Sequence, residues 1–305
     1  MDQFSFFIPG KWILAGEHAV LRGSDAIVFP LLSKYLKFSY KPTADKFNII
    51  VYGTYKSDVD LFIWSVLEKY LNKLNINRSD LSGELSIECE IQFGAGMGAS
   101  ATLAVGLTTF FTKIGYLKSD IFDFSKNIED LFHGESSGVD IAVALHQKPL
   151  VFNRNKGNHF NFIKKCRLPN LTISYSGTRG VTKDCVEKVK NGLIKNFDKY
   201  SNLDHTMKYS VQMFNDLIHK DNTDQNLWKK AMDLAQNCFL QWDLVPQEAL
   251  IHIQLLKQQG SLTSKMTGSG GGGYILTLWP EHFIFANLPP EIQNQLIRIE
   301  SNYES

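Results

Sequence analysis

Gly94-Ala95-Gly96-Met97-Gly98-Ala99-Ser100 is the stretch on which the reading of this chain turns. Ahead of it, Glu84 to Phe93 alternates Leu85, Ile87, Cys89 and Ile91 with Glu84, Ser86, Glu88 and Glu90, the period of a strand with one wet face. Behind it, Leu103, Leu107, Phe110, Phe111 and Ile114 recur at helical spacing. A glycine-rich link from a strand into a helix gathers backbone N–H groups at the positive end of the helix dipole, where a polyphosphate fits. As an ordinary connector it would be wasteful, because glycine loses more backbone entropy on folding than any other residue.

Two rival phosphate loops can be weighed against this. Gly94-x-Gly96-x-x-Ala99 matches the dinucleotide fingerprint, which needs an acidic residue about 20 positions further on at the end of a second strand. The segment after Gly98 instead reads as helix to Ile114, and Asp120 and Asp123 fall at or inside a second helical segment, Ile121 to Phe132. A P-loop is absent, since Gly10-Lys11 is followed by Trp12. A second cluster, Thr267-Gly268-Ser269-Gly270-Gly271-Gly272-Gly273, precedes a strand at Tyr274 to Trp279. Glycine at that density weakens a strand, so its backbone should closely approach a ligand or another chain segment. Two such loops suggest one shared site.

Further out, Phe4–Ile8, Lys11–Ala15, Leu36–Tyr40 and Phe47–Tyr52 carry the aromatic and β-branched residues of strands. Val59, Phe62, Ile63, Val66, Leu67, Tyr70 and Leu74 form one face of a helix. Past Pro169 a strand at Leu171–Tyr175 leads into three or four helical stretches between Lys183 and Gln259. The polar and basic stretch from Asn155 to Leu168 is the natural boundary, giving domains at 1–160 and 161–305. With 305 residues, 44% of them hydrophobic, there is material for two closely packed domains. Lys plus Arg number 32 against 31 Asp plus Glu, which leaves no field to draw nucleic acid or an anionic membrane. The four cysteines are scattered without metal-ligand spacing and read as reduced thiols. The apolar run at Phe4–Ile8 is cut off too soon for a signal peptide or a span, so a cytoplasmic protein is expected.

Charged groups stand out in two apolar settings. In Gly10-Lys11-Trp12-Ile13-Leu14-Ala15-Gly16-Glu17-His18-Ala19-Val20 the bland account is a strand with Lys11 on its outer face and Glu17 and His18 at its end. In Glu129-Asp130-Leu131-Phe132-His133-Gly134-Glu135-Ser136-Ser137-Gly138-Val139-Asp140, Asp140 heads five apolar residues. A carboxylate there is expensive unless paired, and its plainest role is a helix N-cap.

Taken jointly and in this order, the three segments resemble the galactokinase, homoserine kinase, mevalonate kinase and phosphomevalonate kinase superfamily, the GHMP kinases, along nearly the whole chain. Gly10 to Val20 looks like the mevalonate kinase version: galactokinases carry an acidic-aromatic pair where Ala19-Val20 stand, and phosphomevalonate kinases usually a tyrosine at His18. The resemblance implies an α+β two-domain fold, with an N-terminal domain like the second domain of ribosomal protein S5, an α/β C-terminal domain, and an active site in the cleft between them. It implies ATP- and Mg²⁺-dependent phosphorylation of (R)-mevalonate, in isoprenoid biosynthesis. A related phosphomevalonate kinase, sugar kinase or diphosphomevalonate decarboxylase is the alternative, and a non-catalytic nucleotide-binding protein a more distant one.

Residue by residue, the resemblance makes Asp140 the group that accepts or orients the proton of the attacking hydroxyl, with Lys11 beside it to offset developing charge. Gly94, Ala95, Gly96, Met97, Gly98, Ala99 and Ser100 would cradle the phosphates, and Ser100 and Glu129 would hold Mg²⁺. Glu17, His18, Thr182, Gly270 and Gly271 would border the substrate. Trp64 and Tyr55 are candidates for the adenine pocket. A small-molecule substrate is the expected partner, with no nucleic acid or membrane and with a homodimer admitted as the assembly. Ala99 stands where the family has a first serine, Glu135 and Ser136 replace an Asn-Pro pair, and Ile141 replaces an asparagine. These departures bear on the acceptor more than on the phosphate chemistry.

Overall fold

A computed structural model describes residues 2–61, 63–133, 136–155 and 160–304. Phe62, Glu135 and the 156–159 part of the expected boundary lie outside the described residues. The chain runs β1 (Phe4–Ala15), β2 (Ala26–Lys46), β3 (Asn48–Tyr52), α1 (Lys56–Asp60), α2 (Ile63–Leu74), β4 (Ser82–Cys89), α3 (Ala99–Lys113), α4 (Ile121–His133) and α5 (Val139–His146). It continues with β5 (Leu150–Phe152), β6 (Phe160–Phe162), β7 (Lys165–Arg167), β8 (Leu171–Tyr175), α6 (Thr182–Lys195), α7 (Phe197–His219), α8 (Gln225–Gln241) and α9 (Gln247–Gln258). It closes with β9 (Thr263–Met266), β10 (Tyr274–Leu278), α10 (Pro290–Gln293), β11 (Leu296–Arg298) and β12 (Asn302–Glu304). This is the mixed helix and strand content expected. None of the described helices is long and apolar enough to cross a membrane.

Two compact units emerge, and the chain is shared between them in an interleaved way. The first comprises residues 1–11, 30–93 and 97–147. Its sheet sets β4 between β3, in parallel, and β2, antiparallel in the register Leu36 to Cys89 through Lys41 to Glu84. Gly83, Leu85, Ile87 and Cys89 face inward and their neighbours outward, the alternation read from the sequence. Against the inner face lies α3, buried on nearly every side. Gly106 sits mid-helix, which costs about 1 kcal/mol relative to alanine. A Cβ there would meet the Phe38 ring at 2.1 Å, so the missing side chain is what lets helix and sheet close. Phe4, Tyr40, Phe47, Phe110, Phe111 and Tyr70 fill the remaining core with tilted and stacked rings.

The two strands expected at Phe4–Ile8 and Lys11–Ala15 are one, because Pro9 and Gly10 do not interrupt it. Gly10 admits a close approach, since a Cβ on it would lie 2.6 Å from the Ile91 side chain and 3.1 Å from the Met97 carbonyl. The Lys11 N–H donates to that same carbonyl at 3.0 Å.

The second unit comprises residues 12–29, 94–96 and 148–305. Its main sheet is antiparallel in the order β11-β8-β10-β9, and four helices, α6 to α9, fill the 182–258 interval between β8 and β9. Trp228, Met232, Phe239, Trp242 and Trp279 are buried in its core. The start of β2 pairs with β5 through Ala26 to Phe152, and β5 pairs in turn with β6.

Candidate active site

In the first unit, Lys11 and Asp140 meet although 129 positions separate them in the chain (140 − 11): Lys11 Nζ lies 3.1 Å from Asp140 Oδ1. The Lys11 side chain is only 4% exposed, so the expectation of an outward-facing lysine is corrected. Asp140 does not cap its helix either. Gly138 occupies the N-cap in a left-handed conformation, which places Asp140 in the first turn of α5, near the positive helix end. Its side chain remains 29% exposed, so a solvent-borne hydroxyl can reach it.

Gly98 completes this arrangement. It takes φ +73°, and a Cβ on it would fall 3.0 Å from Lys11 Cγ and 3.3 Å from Asp140 Oδ2. It is also the N-cap of α3, and no side chain caps that helix. Gly94, Gly96 and Gly98 all take positive φ and alternate with Ala95 and Met97, which do not. Ala99 and Ser100 follow in the first turn of α3.

On α4, Glu129 is a buried carboxyl. Burial first, and the Asp140 carboxylate second, push it up to about 8, with Ser136 and Lys11 pulling partly back. A divalent cation beside Glu129 would reverse that balance by charge compensation.

In the second unit, Gly94 to Gly96 lie against the other glycine cluster. A Cβ on Gly268 would be 2.9 Å from the Gly96 carbonyl oxygen, and one on Gly273 would be 2.3 Å from that of Ala95. The two glycine-rich stretches therefore share one neighbourhood, and backbone packed on backbone explains the second of them. Gly271 N–H donates to the Leu244 carbonyl at 2.7 Å, and a Cβ on Gly270 would strike Leu244 at 2.9 Å.

His18 and Thr182 converge on Ser269. The His18 Nε2 is 2.8 Å from the Ser269 carbonyl, and Thr182 Oγ1 is 3.2 Å from Ser269 Oγ. Desolvation lowers the His18 imidazole to about 4, so it is neutral near pH 7. A carbonyl can only accept, which puts the proton on Nε2 and leaves a lone pair on Nδ1. Glu17 is buried and pairs with Lys265, 2.7 Å from its Oε1. Sequence reasoning misses Lys265, though a lysine placed two residues before the glycine cluster, in a strand with buried neighbours, is the signal that could have found it. Trp64 lies under the Arg78 guanidinium at 4.0 Å, and Tyr55 faces the Lys34 ammonium at 5.6 Å.

Comparison with known proteins agrees with this picture. A mevalonate kinase from Pyrococcus abyssi is 24% identical, over 89% of this chain and 87% of its own length. The structure of L. major mevalonate kinase in complex with R-mevalonate superposes with a TM-score of 0.72 at 20% identity, covering 92% of this chain and 88% of that one. Lactococcus lactis galactokinase complexed with galactose reaches the same TM-score of 0.72 at 14% identity, covering 91% and 86%. Residues 62–148 match the family model described as GHMP kinases N terminal domain. That match lies within the first half of the chain, and along most of its length the chain is similar in fold to these kinases.

Proposed function

We propose that the protein transfers the γ-phosphate of ATP to a hydroxyl of (R)-mevalonate, giving 5-phosphomevalonate. One observation carries the transfer reaction: a lysine–carboxylate pair, 3.1 Å apart, beside a left-handed glycine at the uncapped N-terminus of a helix. Phosphoryl transfer asks a protein for alignment and charge neutralisation more than for covalent chemistry. Asp140 accepts or orients the hydroxyl proton, and its neighbour Lys11 offsets the charge that grows as the bond to phosphorus forms. The N–H groups of Gly94 to Ser100 hold the phosphate oxygens. Ser100 and Glu129 would hold Mg²⁺, which would supply charge neutralisation for the transferring phosphate. Glu17, His18, Thr182, Gly270 and Gly271 border the acceptor, Gly270 and Gly271 with their backbone. No covalent enzyme intermediate is required.

The choice of acceptor rests on Gly10 to Val20 and on the mevalonate kinase relatives, because a galactokinase shares the fold equally well. Purified protein with Mg²⁺ and ATP should release ADP on adding (R)-mevalonate and should do so far more slowly with galactose, homoserine or phosphomevalonate. No mevalonate-dependent release would refute the acceptor. Release with a sister substrate instead would keep the kinase chemistry and favour the second reading, which the substitutions Glu135, Ser136 and Ile141 motivate.

A further inference from the structure

The second unit holds a buried lysine–carboxylate pair whose lysine has no part in the proposed chemistry. Lys265 Nζ and Glu17 Oε1 are 2.7 Å apart, with side chains 0% and 1% exposed. A buried pair of this kind is weak evidence for stability, since desolvating both ions offsets much of their attraction. Its surroundings point to another use. Directly after Glu17, His18 takes φ +59° and ψ −48°, a conformation that a residue with a bulky side chain persists in only when its neighbours over-determine it.

Those neighbours can be traced. The His18 ring meets Trp242 edge-on at 5.2 Å and Phe239 at 6.2 Å, and the Lys265 ammonium stands 5.6 Å over the Phe239 ring. Two residues along from Lys265, the Thr267 hydroxyl accepts from Ile13 N–H and donates to the Ile13 carbonyl, both at 2.9 Å. Two residues further, the Ser269 carbonyl takes the His18 Nε2 proton. Segment 263–269 therefore latches segment 13–18 at three alternate residues. What the latch leaves without a partner is the His18 Nδ1 lone pair, which is buried and meets no hydrogen-bond donor among the described residues.

We propose that Lys265 is a positioning residue: by fixing Glu17 it holds His18 in its positive-φ conformation and single tautomer, with the Nδ1 lone pair kept unprotonated. Lys265 touches no substrate and acts through Glu17 and His18. The kinetic consequence rests on the proposed role of His18 at the acceptor, whereas the tautomer does not.

The test compares Lys265→Met, Lys265→Arg and the double variant Glu17→Gln/Lys265→Met, which removes both charges. Imidazole ¹⁵N spectra of the free protein should show His18 as one Nε2–H tautomer in the wild type and as exchanging tautomers in Lys265→Met. The acceptor KM should rise about tenfold or more in Lys265→Met while the KM for ATP stays within about twofold, with partial rescue in Lys265→Arg. The double variant should regain thermal stability but neither the single tautomer nor the acceptor KM, and it carries the same readouts if Lys265→Met does not fold. A wild-type tautomer in either variant, or recovery of tautomer and KM together with stability in the double variant, would overturn the proposal and reduce the pair to scaffolding. If mevalonate is not the acceptor, the spectra of the free protein still decide.

Discussion

Two buried lysines each hold a carboxylate, one in each unit, and the pairs differ in access. Lys11 and Asp140 stand 3.1 Å apart with the carboxylate 29% exposed, whereas Lys265 and Glu17 stand 2.7 Å apart with both side chains sealed. Coulomb attraction is screened where water reaches the pair, so the first can exchange partners at modest cost and admit a reacting hydroxyl. The second cannot open without leaving an uncompensated buried charge. The same two functional groups thus suit transfer chemistry in one setting and rigid placement in the other, and burial decides which.

Substitutions can break this comparison. Lys11→Met should lower kcat by roughly 10²–10³, the loss typical of one preorganised electrostatic group in a transition state, and should move the KM for ATP little. Equal losses in both would make Lys11 an ATP anchor. Lys265→Met is expected to do the reverse, acting on the acceptor KM.

Glu129 gives a prediction with a definite sign in pH. Its folded value of about 8 lies above the usual 4.5, so between those values this carboxyl holds more proton in the folded protein than in the unfolded chain. Stability without divalent cation should therefore fall as pH rises from about 6.5 to 8, the His18 imidazole, lowered to about 4, contributing in the opposite sense below 6.5. Denaturant titrations at several pH values should show the slope in the wild type, its loss in Glu129→Gln, and its reduction by Mg²⁺. Glu129→Gln should also raise the Mg²⁺ concentration needed for half-maximal turnover. A slope unchanged in Glu129→Gln would show that another group titrates.

Gly106→Ala probes the scaffold alone. The helix preference for alanine would favour it by about 1 kcal/mol, but the clash with Phe38 should outweigh that and cost about 1–3 kcal/mol net, read as a lower denaturation midpoint. The smallest effect is expected for Thr182→Ala, whose hydroxyl is exposed: stability should stay within about 0.5 kcal/mol, and the acceptor KM should change severalfold at most.

Local period made the first unit's elements legible. The alternation in β4 and the helical spacing in α3 and α4 are set by residues close in sequence, and so were read correctly. What escaped depends on residues far away. Nothing near Pro9 and Gly10 reveals that Ile91 and the Met97 carbonyl press against them and carry the strand through. From its own neighbourhood Asp140 reads as a helix cap, because Asp after a turn usually is one, and only the family resemblance points to the distant Lys11 as its partner. Lys265 went unnoticed for the same reason, its partner being 248 positions away. The glycines at 94, 96 and 98 were legible because left-handed backbone leaves a mark in composition, whereas a buried ion pair leaves none.

Single-turnover rapid quench of Asp140→Asn with Mg²⁺, ATP and (R)-mevalonate tests the central claim most directly. The variant keeps size and removes the charge beside Lys11. The phosphorylation rate should fall by about 10² or more, in the range of a positioned proton acceptor, with ATP affinity unchanged within about threefold. A rate within about tenfold of wild type would contradict the assignment of the Lys11–Asp140 pair to the transfer step.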